Sequence, residues 1–254
     1  MIRRFTAFVA IAAIALAVTI VLLGPATKFG LISYVEAFGF LRLLALPTMV
    51  ATALSLVGFI LALVKRQAIA TVVLALLGVV IGGVVSYAPI KMRSLAAENP
   101  MIHDITTDFE HPPQIVAAAS LARSNPPAYV GDQPAPQSDL TTRQAQAKAF
   151  PDLTYWVATG SVSENSARAR DALAQLGLEI LDEREIPNGT VIEAYHRSFW
   201  YGFYDDFVVR VTAVNKGSRI DVRSKSRVGI SDLGANAKRI REFRDAFNAV
   251  TDAG

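Results

Sequence analysis

Four aspartates lie within about thirty residues of one another near the end of the chain, with several arginines among them, and paired carboxylates can act as acid and base; seven of these residues are candidate site residues. These residues are Asp205, Asp206, Asp221, Asp232, Arg210, Arg223 and Arg227. The same groups on one face of a sheet would instead form ion pairs with each other. We favour this structural interpretation. In the alternative, an enzyme would use Asp206 and Asp221 as acid and base together with the arginines.

Nucleophilic catalysis and nucleotide binding have little support. A Ser-His-Asp triad would need His196 and Asp206, but no G-x-S-x-G segment is present to expose a serine. Residues 229–236 have the spacing of a phosphate loop, yet they lack the Lys and the Ser or Thr that such a loop requires. We therefore predict neither activity.

An unusual aromatic stretch, FWYGFY, occupies residues 199–204. Tryptophan and tyrosine favour the boundary between membrane and water, and aromatic residues also line pockets for apolar ligands. A loop that folds back over its own core would show the same composition. We include Trp200, Tyr201 and Tyr204 with the charged residues above in one candidate binding surface.

No cofactor, metal or nucleic acid is predicted. His103, Asp104, Asp108, Glu110 and His111 could ligate a metal, but we favour a solvated polar segment, because the five lie in one short stretch and no third strong ligand is found elsewhere. The chain has no cysteine, which excludes disulfides and Cys-ligated metals. Its net charge of +3 is small, and no block of Lys and Arg suggests nucleic-acid binding.

The N-terminal third contains the elements that would anchor these residues to a membrane. Three uncharged stretches have the roughly 20 residues that a span requires, namely Phe5–Leu23, Leu43–Val64 and Ala68–Ile90. Gly78 and Gly82 form a G-x-x-x-G pattern, which lets helices approach closely within the bundle or in a homo-oligomer. We predict a membrane anchor over residues 1–93 that contacts the lipid bilayer.

Basic residues predict the orientation of this anchor. Arg3 and Arg4 precede the first span, and Lys65 and Arg66 lie in the short turn between the second and third spans. Dense basic residues mark the cytoplasmic side. We expect a multi-pass protein of the inner (plasma) membrane with a cytoplasmic N-terminus and an extracytoplasmic, periplasmic C-terminal domain.

Residues 94–151 are predicted to be a proline-rich linker, and residues 152–254 a soluble α+β domain. Seven prolines between residues 100 and 136 interrupt the linker, although residues 115–123 could form a short helix. In the domain, periodicity predicts a helix, four strands and a second helix, which gives an antiparallel sheet with helices packed on one face. We expect Ser163 to cap the first helix. Ser231 or Asp232 would cap the last helix, whose apolar stripe ends at Val250.

Two hairpins are predicted within the sheet. Asn188-Gly189 suits a type I′ turn, which would set Arg184 opposite Glu193. In the second hairpin, a loop of Lys216-Gly217 sets Val211 opposite Val222, whereas a three-residue loop sets Thr212 opposite Ile220. Side-chain alternation favours the first register and collects Arg210, Thr212, Asp221, Arg223, Lys225 and Arg227 on a polar face.

Several motifs, in order and spacing, resemble the family of domains of unknown function numbered 1499. They are residues 102–108 (IHDITTD), 192–194 (IEA), 204–210 (YDDFVVR), 220–229 (IDVRSKSRVG) and 231–236 (SDLGAN). The resemblance extends from about Asn99 to the end and implies no chemistry. It does imply that residues 102–108 dock on the sheet, where Asp104 or Asp108 could meet Arg210, Arg223 or Arg227.

Together these observations favour a binding or accessory module anchored in the inner membrane. The charged sheet face and the aromatic stretch would be its contact surfaces. Two alternatives stay open: an enzyme acting on cell-envelope or lipid-derived substrates, and a purely structural scaffold subunit.

Overall fold

The structure, a computed structural model, describes residues 1–249 and divides into two compact units. The first unit comprises Met1–Ser94 and Phe199–Gly202, and the second comprises Leu95–Ser198 and the chain from Phe203 onward. Residues 95–151, predicted to be a linker, therefore belong to the same unit as the soluble domain. Val250, the predicted end of the last apolar stripe, lies outside the described residues.

The first unit contains three long helices, α1 (Ile2–Lys28), α2 (Tyr34–Val64) and α3 (Ile69–Glu98). Each is long and apolar enough to span a membrane, with mean hydropathies of 2.8, 2.1 and 2.6. They extend beyond the predicted spans because the helices continue through flanking segments that contain charged residues. At the start of α2, for example, Ser33 and Glu36 form a capping box.

Small residues let these helices approach one another. A Cβ atom added at Gly78 would lie 3.0 Å from the Cα of Ala10 and 2.5 Å from the hydroxyl of Ser55. A Cβ atom added at Gly82 would lie 2.1 Å from the hydroxyl of Thr52. The G-x-x-x-G pattern therefore serves contacts within one chain.

The second unit is built on a six-stranded antiparallel sheet. Its elements are β1 (Asp104–Thr106), α4 (Thr142–Ala149), β2 (Trp156–Ala158), α5 (Val162–Gln175), β3 (Glu179–Ile186), β4 (Gly189–Arg197), β5 (Tyr204–Val214), β6 (Gly217–Ser226) and α6 (Ala235–Ala249). The strand order is β1-β6-β5-β4-β3, and β2 also pairs with β6. The predicted α+β class and its antiparallel sheet are confirmed, and β1, β2 and α4 are additional elements.

One face of the sheet forms the hydrophobic core. Alternate residues of β5 and β6, including Phe207, Val209 and Ile220, pack with Phe243 and Phe247 of α6 in one buried cluster. Alternation decides this packing, because successive side chains of a strand point to opposite faces. Each such side chain contributes roughly 1.5–3 kcal/mol on full burial.

The predicted register of the first hairpin was wrong. Arg184 pairs with Val191, because Pro187 and Asn188 occupy the turn and Asn188 alone of these two has a positive φ, of 64°. Proline fixes φ near −65°, whereas a type I′ turn needs positive φ at both central residues. Arg184 nevertheless reaches Glu193 diagonally and forms an ion pair with it.

The second hairpin also differs from both predicted registers. Its loop is 215–216, so Val211 pairs with Ile220 and Arg210 pairs directly with Asp221. The strands are shifted by two residues from the favoured register. A two-residue shift keeps every side chain on its predicted face, so the polar face survives the error.

Helix starts and the linker required further corrections. Ser161, rather than Ser163, caps α5 through a capping box with Glu164. Residues 115–123 form turns and extended chain instead of a short helix. Before α6, Asp232 accepts hydrogen bonds from the backbone N–H groups of Gly234 and Asn236, at 2.8 and 3.0 Å, so it fills the predicted capping role.

Candidate functional site

The sheet face opposite the core carries charged residues on alternate positions of β5 and β6. We call this set the ionic face: Asp206, Arg210, Asp221, Arg223 and Lys225. Most of it is buried, because residues 108–130, which we call the covering segment, lie across it. The Arg223 guanidinium donates to the carbonyls of Pro113 and Pro127, and Lys225 donates to that of Ala128.

At the centre of the ionic face, Asp104 of β1 binds two cations. The Arg223 Nε and Nη2 atoms lie 2.8 and 2.9 Å from its two oxygens, and the Lys225 Nζ atom lies 2.9 Å away. All three side chains are fully buried. Burial opposes ionisation of Asp104, but Arg223 and Lys225 outweigh it and hold the Asp104 pKa below its usual range.

Asp206 forms the second buried ion cluster. One oxygen is 2.6 Å from Nη2 of Arg123, and the other is 2.7 Å from Nε of Arg227. The Arg227 guanidinium also lies over the rings of Tyr195 and Tyr204, at 5.7 and 5.0 Å from their centroids. Asp206 and Arg227 are thus placed together, inside the domain rather than on its surface.

The third cluster lies at the exposed end of the ionic face. Asp108 and Asp221 each bind both Arg210 and Arg219, at 2.7–3.0 Å. The Arg219 guanidinium lies 3.7 Å from the centroid of the Tyr155 ring. The arginine side chains are 19% and 28% exposed, and Tyr155 is 47% exposed. We call Arg210, Arg219, Tyr155 and the neighbouring exposed Val157 the arginine–tyrosine patch.

Asp205 points to the other face of β5, where it binds Arg239 of α6. The Arg239 Nη2 atom lies 2.9 Å from Asp205 and 3.2 Å from Nδ1 of His196. Because arginine can only donate, Nδ1 accepts and the ring proton is on Nε2. Burial and the Arg239 charge lower the His196 pKa.

This geometry overturns the triad considered from sequence. A triad needs His196 to donate from Nδ1 to a carboxylate, whereas Arg239 occupies that position. Asp206 lies on the opposite face of β5 from Asp205 and binds two arginines. His196 and Asp206 therefore do not form a catalytic pair.

Two of the five residues weighed as metal ligands, Asp104 and Asp108, bind cationic side chains of the sheet instead. Asp104 and Asp108 bind arginines, and Asp108 also accepts hydrogen bonds from the backbone N–H groups of Glu110 and His111. Across residues 1–249, no three His or carboxylate side chains group as a metal site requires.

The aromatic stretch divides between the two units. Phe199–Gly202 belongs to the helical unit, where the Tyr201 ring stacks on Phe38 at 5.4 Å and Trp200 lies against Gly24. Tyr204 instead begins β5 and packs on Tyr195 at 5.6 Å. The five aromatic residues therefore do not all belong to one unit.

Sequence reasoning missed four residues of these clusters, namely Arg219, Arg239, Arg123 and Tyr155. Arg219 and Asp221 are two positions apart on one strand, so alternation could have placed them together. Arg239 adjoins the apolar stripe of α6 at Ile240, which could have marked it as buried. For Arg123 and Tyr155, which lie in irregular segments, no local signal existed.

Comparison with known proteins identifies a family. The model of the family described as "Protein of unknown function (DUF1499)" matches residues 104–247, more than half of the chain. No curated protein and no solved structure matches the chain. The match begins at β1, whose Asp104 binds the ionic face.

Proposed function

This chain belongs to the DUF1499 family, whose description states no activity, and we propose that it is a membrane-anchored binding or accessory module. In this proposal α1, α2 and α3 anchor it in a bacterial-type inner membrane. The soluble domain lies on the extracytoplasmic side and binds a protein partner through the arginine–tyrosine patch.

The observation that carries the proposal is the preorganisation of this patch. Arg210 and Arg219 are fixed by the same two carboxylates, and Arg219 is also stacked on Tyr155. Tyrosine and arginine dominate the binding energy of protein interfaces, and fixed side chains lose little entropy on binding. The patch therefore combines partial exposure with rigidity.

The buried carboxylates weigh against the enzymatic alternative. Asp206 and Asp221, its proposed acid and base, are each almost fully buried and bound to two arginines. An acid or base catalyst must reach the substrate atom that it protonates or deprotonates, whereas each of these carboxylates is 1% exposed and enclosed by arginines. We therefore assign Asp206, Asp221, Arg223 and Arg227 to the stability of the domain.

Gly78 and Gly82 are used inside the helical unit, so we place the partner contact on the soluble patch rather than on α3. The test uses a photo-crosslinking phenylalanine analogue at position 155, in full-length protein within its native membranes. We expect one product of reproducible added mass, identified by mass spectrometry. The matched control is the same analogue at Arg170, an exposed arginine of α5 paired with Glu183. Equal products at both positions, or none at 155, would contradict the proposal.

The proposed orientation has a separate test, which the absence of cysteine makes simple. Lys216→Cys places a thiol in the exposed β5–β6 turn, and Ala68→Cys places one in the exposed turn before α3. A membrane-impermeant maleimide added to intact cells should label position 216 alone, and position 68 only after permeabilisation. The reverse pattern would put the domain in the cytoplasm.

A further inference from the structure

Large apolar side chains are exposed at one end of the helical unit. Phe29 and Leu31, which follow α1, are 75% and 77% exposed, and Phe199 is 80% exposed. The Lys28 ammonium joins them, because it donates to the Phe199 carbonyl at 2.9 Å and lies 5.1 Å from the ring centroid. Phe199 is thus held beside the α1–α2 turn.

The next two residues are seated on the helices. A Cβ atom at Gly24 of α1 would lie only 2.0 Å from the Trp200 ring, so the indole occupies the space that this glycine leaves. Tyr201 packs with the buried cluster that includes Ile20, Leu23 and Leu41. Trp200 nevertheless keeps 41% of its surface exposed.

The position of Trp200 along α1 matches a membrane boundary. Gly24 is 22 residues beyond Ile2, the first residue of α1. At 1.5 Å per residue this distance is ~33 Å, close to the roughly 30 Å thickness of the hydrocarbon core. A span that enters the hydrocarbon near its first residues therefore leaves it near Gly24.

We infer that Phe199–Gly202 is a fourth bilayer-contacting element, with Trp200 at the edge of the hydrocarbon core and Phe199, Phe29 and Leu31 in the adjoining headgroup layer. Three observations fix the occupant as lipid. The exposed side chains continue the apolar surface of α1 and α2, tryptophan and tyrosine favour this boundary, and Lys28 complements the headgroup phosphates. The inference concerns the membrane contact and is independent of the partner proposed for the soluble patch.

The chain offers a direct test because it contains only two tryptophans. Trp156 packs on Phe243 and Phe247 in the soluble core, with ring centroids 6.3 and 5.8 Å away. Full-length protein is placed in single-copy lipid nanodiscs containing phosphatidylcholine brominated near the headgroup end or near the middle of the acyl chain. Trp200→Phe is the matched control, since it retains Trp156 alone.

The difference in emission between the parent protein and Trp200→Phe is the emission of Trp200. We expect lipid brominated near the headgroup to quench this emission more strongly than lipid brominated near the middle of the acyl chain. Emission from Trp200→Phe should be insensitive to bromination. Equal emission in brominated and ordinary lipid would overturn the inference. A parallel sample with two copies in each nanodisc tests the alternative. If Trp200 emission changes only in that sample, Trp200 contacts a second copy and the lipid assignment is wrong.

Discussion

Asp104 and Arg223 form a two-bonded ion pair between residues 119 positions apart, with both side chains fully buried. The contact joins β1 to β6. Strand β6 carries Asp221, Arg223 and Lys225 of the ionic face. Lys225 binds the same carboxylate, so Asp104 is the shared anionic partner of two buried cations, Arg223 and Lys225. Removal of that anion would leave both cations without a carboxylate partner there.

Asp104→Asn should therefore destabilise the protein severely. Loss of one member of a buried ion pair costs about 3–5 kcal/mol, because the remaining charge stays desolvated. Chemical denaturation of the full-length protein in detergent measures the free energy of unfolding. The matched control is Asp152→Asn, which breaks the half-exposed pair with Arg241 and should cost less than about 1 kcal/mol. Similar losses in the two variants would contradict the role assigned to Asp104.

Acid should weaken the same contacts. Asp104 and Asp108 both have folded-state pKa values below the ordinary value. For Asp108 burial raises the pKa, but the His111 N–H and the Arg219 charge outweigh it. A lowered folded pKa adds stability above the unfolded pKa of about 3.9, and that stability is lost as the pH falls through the folded pKa. The contribution of these two carboxylates to the thermal midpoint should be constant from pH 7 to about 5 and should decline below about pH 4.

Asp108→Asn provides the control for this acid limb. The variant removes the Asp108 carboxylate, whose pKa is lowered in the folded state. The thermal midpoint should therefore depend less steeply on pH below about 4. An unchanged slope would show that Asp108 does not contribute to the acid sensitivity.

The segment between α3 and α4 should be necessary for the stability of the soluble domain. A chain that begins at Asp152 lacks β1, the covering segment, and the core residues Ile102 and Ile105. We expect a large fall in melting temperature, measured by circular dichroism, relative to a chain that begins at Leu95. Equal melting temperatures would mean that the segment adds nothing to the fold.

Gly24→Ala should displace Trp200, because the new Cβ atom would overlap the indole. We expect a red-shifted Trp200 emission, measured as the difference from a Gly24→Ala/Trp200→Phe double variant. Gly39→Ala is the matched control, since it adds the same methyl group to α2 with no atom within 4 Å. If both glycine variants leave the emission unchanged, Trp200 is not seated on α1.

The sequence predicted the faces of the sheet better than the registers. Arg210 and Asp221 were placed on one face, and they remain there despite a two-residue shift, because alternation is insensitive to even shifts. Pro187 set the turn of the first hairpin against the Asn-Gly preference. The φ angle of proline is incompatible with a type I′ turn but suits the first central position of other turns. A turn over Pro187 and Asn188 gives the observed pairing of Arg184 with Val191.

The burial of the charged face was beyond local sequence signals. Arg223 and Lys225 have the alternation of a solvated strand face, and only the distant prolines of the covering segment provide carbonyls for them. Likewise, nothing near Arg239 indicates that it contacts both His196 and Asp205. Such contacts depend on tertiary pairing across more than thirty residues.

The pairing of β1 with β6 also orders the biogenesis of the domain. Asp104 is synthesised more than a hundred residues before its partners Arg223 and Lys225. Contacts of such high sequence separation close slowly, because the intervening chain must lose its entropy first. A nascent chain that stops before β6 lacks both cations that bind Asp104, so the domain cannot complete its sheet until β6 has been synthesised.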